Sequence, residues 1–148
     1  MAYTSRTHRL AVNSYILKGD VFLLLKRVSE PRIWTPPGGR LEKDENPLEG
    51  LKREVLEETS LSIDILMPAN IWFGKWQEIP LLSIDFLTVY RSGNVRLSEE
   101  HSEYCWVTLE EMQCRELIPR HSDMGFELKN FVHALKLKQF FDLEGKVL

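Results

Sequence analysis

Three glutamates, Glu54, Glu57 and Glu58, follow the pair Gly38 and Gly39 in a spacing that brings their carboxylates onto one face of a helix. Glu54 and Glu58 are like charges four residues apart, which destabilises a helix by about 0.2 to 0.5 kcal/mol, and acidic groups in a last turn oppose the helix dipole. A bound Mg²⁺ or Mn²⁺ would offset both effects, because these ions prefer carboxylate oxygens. The cluster therefore predicts a divalent-metal site of the kind used in phosphate chemistry.

The residues around this cluster predict the helix that carries it. Asn46 is a favourable N-cap and Pro47 suits the first helical position, so we expect the helix to begin at Pro47. At about 100° per residue, Leu48, Leu51 and Val55 would form one apolar stripe, with the glutamates on the neighbouring face. The three carboxylates would then converge beside the hydrophobic core.

Two further residues of this helix call for an explanation. Arg53 precedes Glu57 by four residues, the weaker order for a helical ion pair, so we interpret it as a catalytic-site residue that orients a carboxylate. Gly50 costs about 1 kcal/mol relative to Ala in a helix, which predicts a close backbone approach by the turn at Gly38 and Gly39. A solvated charged helix is the ordinary alternative, but it does not require all of these residue types together.

The segment resembles the Nudix box, Gly-x5-Glu-x7-Arg-Glu-U-x-Glu-Glu-x-Gly-U, in which U is aliphatic. The matching positions are Gly39, Glu45, Arg53, Glu54, Val55, Glu57, Glu58 and Leu61. Ser60 replaces the last glycine, which would normally end the helix in the left-handed conformation. Residues 34–39 resemble the usual lead-in to the box, and residues 103–111 resemble a late strand of the family.

This resemblance implies a fold, a cofactor and a reaction. The implied fold is α/β, an α/β/α sandwich in which helices flank a mixed β-sheet. Mg²⁺ or Mn²⁺ would be bound by Glu57, Glu58 and the backbone carbonyl of Gly39, while Glu54 would be a further ligand or the group that positions water. The implied reaction is direct attack by water on the pyrophosphate linkage of a nucleoside diphosphate joined to another moiety. The resemblance leaves open which glutamate is the base, and it also implies a possible homodimer.

For the other candidate residues, a purely structural interpretation has as much weight as the functional interpretation, or more. Some family members have a late acidic ligand, which would be Glu100 here, although the alternative is a solvated residue. Arg27, at a strand end near the glycine turn, is a candidate phosphate-binding residue or an exposed charge. Trp72 and Trp76 alternate onto one strand face and, like Trp34, are candidates for stacking on a nucleobase or for packing in the core.

The substrate is only partly limited by the sequence. Nucleoside triphosphates, including oxidised ones, rank ahead of nucleotide sugars, because the proline-bearing signatures of the family's ADP-ribose and NADH subgroups do not appear at residues 67–70 or after them. A nucleotide-sugar or ADP-ribose pyrophosphatase is the alternative. A prenyl-diphosphate isomerase and a non-catalytic nucleotide-binding domain are the alternatives from other classes.

Composition limits the remaining possibilities. A chain of 148 residues with 43% hydrophobic and 28% charged residues predicts one domain over 1–148. A net charge of −3 gives no basic surface for duplex nucleic acid, and without an apolar signal segment or membrane span we expect a cytoplasmic protein.

Cys105 and Cys114 are expected to be reduced and structural. The histidines fit no ligand pattern and are expected to be surface or hydrogen-bonded residues, namely His8, His101, His121 and His133.

Hydrophobic periodicity predicts strands and one further helix around the box helix. The expected strands cover residues 9–17, 21–28, 61–66, 71–77, 81–90 and 104–107, with a turn near residues 78–80. A last helix is expected over residues 123–141, with a buried stripe of Leu128, Phe131, Val132 and Leu135.

Overall fold

A computed structural model of the protein describes residues 7–119 and 125–147. Its strands are β1 (Arg9–Lys18), β2 (Val21–Arg27), β3 (Trp34–Thr35), β4 (Gly38–Arg40), β5 (Ser62–Trp76), β6 (Ile79–Ser92) and β7 (His101–Val107). Its helices are α1 (Pro47–Thr59), α2 (Leu109–Cys114) and α3 (Leu128–Val147). Among residues 7–119 and 125–147, no helix has the length and apolar character that crossing a membrane requires.

The strands form one mixed sheet with the order β3-β2-β1-β6-β5. β1 runs parallel to β6, whereas β1 is antiparallel to β2 and β4, and β7 is antiparallel to β2. The sheet buries apolar side chains on both faces. One core contains Tyr15, Phe22, Leu24 and Phe131, and the opposite core contains Ile16, Leu23, Leu25, Leu51 and Val55. Because α3 covers the first core and α1 the second, the predicted α/β/α sandwich is confirmed.

Helix α1 begins at Pro47, as the capping sequence predicts. The side chain of Asn46 accepts a hydrogen bond from the backbone N–H of Leu48 at 2.9 Å. Leu51 and Val55 are fully buried, but Leu48 is 44% exposed, so the predicted stripe is wrong at that position. The helix ends at Thr59, and its C-cap Ser60 has φ 65, which is the left-handed conformation that the motif's glycine would take without strain.

Several element boundaries differ from the prediction. β5 is one strand with register shifts around residues 65–70, where two strands were expected, because irregular pairing with β6 continues through that segment. The β5–β6 turn lies at Gln77 and Glu78, both with positive φ, one residue before the predicted position. α3 begins at Leu128 and ends at Val147, whereas residues 125–127 are not helical; the predicted start at residue 123 lies outside the described residues.

Three short elements were not predicted, and two of them position the site. The segment expected to be a glycine turn is the strand β4, in which Gly39 pairs with Val12 and Gly38 pairs with Asn13 of β1. β3 pairs with the end of β2, and α2 follows β7 with Thr108 as the first residue of a capping box. β3 and β4 therefore hold the chain against the sheet directly before the acidic helix.

Candidate active site

Strand β4 lies against the acidic face of α1. The backbone N–H of Gly38 donates a hydrogen bond to Glu58 Oε1 at 2.7 Å. A Cβ atom on Gly39 would lie only 2.7 Å from the carboxylate of Glu54, so this position has no room for a side chain. A Cβ atom on Gly38 would clash with the carbonyl oxygen of Val12. The two glycines therefore allow the strand backbone to approach two of the predicted carboxylates directly.

Arg53 organises the carboxylates on the solvent side of this contact. Its Nε and Nη2 atoms donate to the two oxygens of Glu45 at 2.7 and 2.9 Å, and its Nη1 atom donates to Glu54 at 3.1 Å and to Glu57 at 3.2 Å. The hydrogen bonds from Arg53 lower the pKa of Glu45 to about 2. The guanidinium holds three carboxylates at once, so its role extends beyond the single contact that the helix spacing suggests.

The neighbours of Gly50 differ from the prediction. A Cβ atom there would clash with the side chain of Leu41 and would lie 2.7 Å from Glu45 Oε1. The approach to Gly50 is therefore made by the loop before α1 and not by the backbone of Gly38 and Gly39. Glu45 Oε1 also accepts a hydrogen bond from the backbone N–H of Glu42 at 3.0 Å. Because Gly50 has no side chain, the Glu45 carboxylate can pack directly against the helix at this position, where it accepts hydrogen bonds from Arg53.

The carboxylates of the cluster have different environments. Burial raises the pKa of Glu58 to about 8, although the hydrogen bond from Gly38 opposes this effect. Burial also raises the pKa of Glu54 against the influence of Arg53. Glu57 is 58% exposed and lies outside the cavity wall, joined to the cluster through Arg53. Burial therefore disfavours the charged form of both Glu54 and Glu58. A bound cation would offset this cost, as is expected of a cation-binding site.

Pairing between β2 and β7 adds residues from the late part of the chain. Arg27 lies opposite His101 in this pairing, and the backbone N–H of Val28 donates to the carbonyl of Glu100 at 3.0 Å. The pairing places His101 Nδ1 3.5 Å from Glu58 Oε2. Burial lowers the pKa of His101, and nearby Arg27 lowers it further, while Glu100 opposes both. His101 was expected to be a surface or hydrogen-bonded residue, but it is buried beside Glu58 and its Nδ1 atom has no hydrogen-bond partner among the described residues. His121 lies outside the described residues.

A cavity of about 670 Å³ opens above the cluster. Its wall includes the acidic residues Glu54, Glu58, Glu99 and Glu100. Three cationic residues, Arg27, Arg40 and Lys75, line the same cavity. Sequence reasoning identified only the first of these, because Arg40 and Lys75 lie on strand ends whose direction depends on the fold. The cavity thus combines groups that bind cations with groups that bind anions.

Two of the three candidate tryptophans line this cavity. The indole of Trp72 lies against Gly74 and Gly125, where added Cβ atoms would collide with it. Trp76 lies 5.7 Å from the Arg27 guanidinium, a distance at which a cation–π contact forms. Trp34 instead lines a neighbouring hollow beside α2 and packs against the core, so the structure does not bring it into the cavity with the other two.

A buried polar network forms the floor of the cavity. Asp85 is fully buried, and its carboxylate accepts four hydrogen bonds, from Asn13, Ser83, Tyr15 and Asn70 at 2.9 to 3.1 Å. Asn13 and Ser83 also line the cavity. The sequence signal for this network is a set of polar residues at inward positions of β1 and β6, which the strand analysis did not single out.

The fold and the site define an α/β/α domain that gathers carboxylates from a helix beneath a glycine strand, with cationic and aromatic residues in the same cavity. Residues 7–128 match the model of the NUDIX domain. The chain therefore belongs to the Nudix family, as the motif resemblance predicts, and it is a pyrophosphohydrolase.

Known proteins similar to this chain support the family assignment. A MutT-like protein of Streptomyces ambofaciens is 30% identical over 108 residues, covering 73% of this chain and 69% of that protein. The asymmetrical bis(5'-nucleosyl)-tetraphosphatase of Mus musculus is 37% identical over 99 residues, covering 61% of this chain and 65% of that protein. The chain thus spans about two thirds of the length of these relatives.

Solved structures show the same fold. The MutT protein from Methanosarcina mazei Go1 superposes with a TM-score of 0.72 at 29% identity, covering 91% of this chain and 98% of that one. An Ap4A hydrolase from C. elegans superposes with a TM-score of 0.70 at 26% identity, covering 86% of this chain and 98% of that one.

Proposed function

We propose that the protein hydrolyses the pyrophosphate linkage of nucleoside diphosphate derivatives with the help of Mg²⁺ or Mn²⁺, and that nucleoside triphosphates are its first candidate substrates. The observation that carries this proposal is that one cavity is lined both by the carboxylates of Glu54 and Glu58 and by the cationic residues Arg27, Arg40 and Lys75. A polyphosphate is the ligand class that needs both a carboxylate-bound cation and direct cationic contacts.

The residues present fit a divalent ion. We propose that the ion is held by the carbonyl of Gly39 and by carboxylates of Glu54, Glu57, Glu58 and Glu100. Without a cation, burial raises the pKa of Glu58 to about 8. A bound divalent ion would displace the proton from this carboxyl group and stabilise the ionised carboxylate. Such an ion neutralises phosphate oxygens and lowers the pKa of water when it is bound.

Within this proposal, the chain's own residues have separate tasks. Arg53 Nη1 holds Glu54 Oε1, which leaves the carboxylate fixed against Gly39. The carboxylate held in this way lines the cavity, where it can position an attacking water and accept its proton. We therefore assign proton acceptance to Glu54 and orientation of the carboxylates to Arg53.

Recognition of the substrate would use the cationic and aromatic residues that line the same cavity. The Arg27 side chain donates to the Pro31 carbonyl at 3.1 Å and to Ser29 at 3.2 Å, which fixes the guanidinium while leaving further N–H groups for phosphate oxygens. Trp72 and Trp76 line the same cavity, where a nucleobase would stack on an aromatic ring.

A second candidate substrate class is the dinucleoside tetraphosphates. It is favoured by the 37% identity to the mouse bis(5'-nucleosyl)-tetraphosphatase and by the likeness to the C. elegans Ap4A hydrolase. The presence of two tryptophans in one cavity agrees with a substrate that carries two bases. Nucleotide sugars and ADP-ribose form the third class to be compared.

A panel of these three substrate classes, assayed with Mg²⁺ and with Mn²⁺, tests the proposal. We expect hydrolysis that depends on the divalent ion and a fall of at least about 100-fold in kcat for Glu57→Gln, because a direct ligand matters at least as much as its supporting groups. Glu49→Gln is the matched control, since Glu49 is an exposed glutamate in the first turn of the same helix. Metal-independent turnover, or full activity of Glu57→Gln, would contradict the proposal.

A further inference from the structure

His101 is a buried imidazole at the edge of the acidic cluster. Its side chain is only 6% exposed, and that of Glu58 is 5% exposed. Nδ1 of His101 faces Glu58 Oε2 at 3.5 Å, which is too long for an effective hydrogen bond. Among residues 7–119 and 125–147, this nitrogen has no hydrogen-bond partner. A buried nitrogen without a partner is unfavourable unless a ligand outside the chain satisfies it.

The surrounding atoms indicate what that ligand is. Glu58, Glu100 and His101 each offer a ligand atom, and these three atoms lie within 4.8 Å of one another. Ligand atoms that share one ion at about 2.1 Å lie roughly 3 to 4.2 Å apart, so small side-chain rotations suffice to close the set. Glu100 is exposed, which leaves a path from solvent to this position.

We propose that Nδ1 of His101 is a direct ligand of the divalent ion, together with Glu58 and Glu100, and that this nitrogen makes the site prefer Mn²⁺ over Mg²⁺. The proposal rests on the proposed metal-dependent hydrolysis and adds a ligand and a selectivity to it. Imidazole binds transition-metal ions well, whereas Mg²⁺ strongly favours oxygen. An all-carboxylate site would have no such preference built into its ligands.

The backbone around His101 supports a fixed ligand. His101 is the first residue of β7 and pairs with Arg27 at the end of β2, next to an irregularity in the register. Its backbone N–H donates to the Ser98 carbonyl, at 3.4 Å. The imidazole is therefore attached to the sheet on one side and faces the acidic helix on the other, while the exposed Glu100 side chain adjoins it.

Binding measurements on the 148-residue chain test the proposal without relying on turnover. Pulsed electron paramagnetic resonance on the Mn²⁺-loaded protein should detect a directly bound nitrogen, and uniform ¹⁵N labelling of histidine should change that signal. His101→Gln should abolish the nitrogen signal and weaken Mn²⁺ binding, measured by calorimetry, by about 10-fold or more, while changing Mg²⁺ binding less than about 3-fold. His133→Gln, at an exposed position of α3, is the matched control and should leave both unchanged.

The outcomes separate this inference from the proposed function. If wild-type protein binds Mn²⁺ and hydrolyses substrate without any nitrogen signal, His101 is not a ligand and the inference is overturned while the function stands. Equal losses of Mn²⁺ and Mg²⁺ affinity in His101→Gln would overturn the selectivity. Absence of metal-dependent hydrolysis together with a clear nitrogen signal would overturn the proposed function and leave the ligand assignment intact.

Discussion

Glu45 and Arg53 form a two-pronged ion pair that ties the loop before α1 to the middle of that helix. Both oxygens of Glu45 accept hydrogen bonds from the guanidinium, at 2.7 and 2.9 Å. Such paired contacts fix the orientation of an arginine more firmly than a single contact does. Because the remaining Nη1 atom of Arg53 reaches Glu54 and Glu57, the pair sets the positions of two carboxylates in the proposed metal site.

Glu45→Gln should therefore reduce activity, even though we do not propose that Glu45 contacts the substrate. Loss of one charged contact would release Arg53, and kcat should fall about 10- to 100-fold, as is typical for groups that support metal ligands. Glu42→Gln is the control, because Glu42 lies 3.8 Å from the same guanidinium but its side chain is 69% exposed. Steady-state kinetics of the two variants make the comparison. Equal kcat values for Glu45→Gln and Glu42→Gln would contradict the role given to this pair.

Gly39→Ala should lower activity, whereas Gly38→Ala should lower the stability of the fold. The three atoms nearest to an added Cβ at Gly39 all belong to the Glu54 carboxylate, which is a side chain that can shift, so we expect kcat to fall at least about 10-fold with little change in Tm. The added Cβ at Gly38 meets the backbone of Val12, which cannot move without disturbing β1, so overpacking should cost roughly 1 to 3 kcal/mol and lower Tm. Thermal melts and kinetics of both variants distinguish these effects. A fully active Gly39→Ala would show that Glu54 has room to move.

The sequence predicts the local part of the site and names Arg27 and Glu100 as candidates, but it misses the contact between His101 and Glu58, which depends on strand pairing. Capping residues and periodicity predict a helix from Pro47 with Glu54, Glu57 and Glu58 on one face, because these signals act within a few turns. The neighbourhood of His101 and Glu58 is set by the pairing of β2 with β7, and no local signal reports that pairing.

The tryptophans show the same limit on a smaller scale. Alternation correctly places Trp72 and Trp76 on one face of β5, with Ile71 and Phe73 exposed on the other. For Trp34, on the two-residue strand β3, alternation cannot say which face meets the cavity. In the structure Thr35 lines the cavity and Trp34 does not.

Trp72→Leu should weaken substrate binding, because Trp72 lines the cavity in which we propose that a base stacks. Stacking of a base on an aromatic side chain is worth about 1 to 3 kcal/mol, so KM should rise roughly 5- to 100-fold while kcat changes little. Trp34→Leu is the matched control, since that ring lines the neighbouring hollow. Kinetics with a nucleoside triphosphate and with a dinucleoside tetraphosphate measure the difference. A larger rise in KM for Trp34→Leu than for Trp72→Leu would place the base elsewhere.

Glu58 should make the stability of the metal-free protein fall as pH rises. Its pKa is about 8 in the folded protein, compared with an ordinary value of 4.5. Between these two values the unfolded chain releases this proton while the folded protein keeps it, so rising pH favours unfolding, and the loss levels off above about pH 8. The raised pKa of Glu54 acts in the same direction. Because Glu54 is present both in the wild type and in the variant Glu58→Gln, it does not account for a difference between them.

Glu58→Gln should remove most of this dependence, because Gln still offers a carbonyl oxygen to the backbone N–H of Gly38 and carries no ionisable proton. Relative to Glu58→Gln, the Tm of the metal-free wild type should fall by at least about 5 °C between pH 5 and pH 8.5. Saturating Mn²⁺ should reverse that fall in the wild type, since the ion binds the ionised carboxylate and so stabilises the folded state. Parallel melting curves for the two proteins across this range would mean that Glu58 ionises as an ordinary glutamate, and its proposed place beside the metal would lose its electrostatic basis.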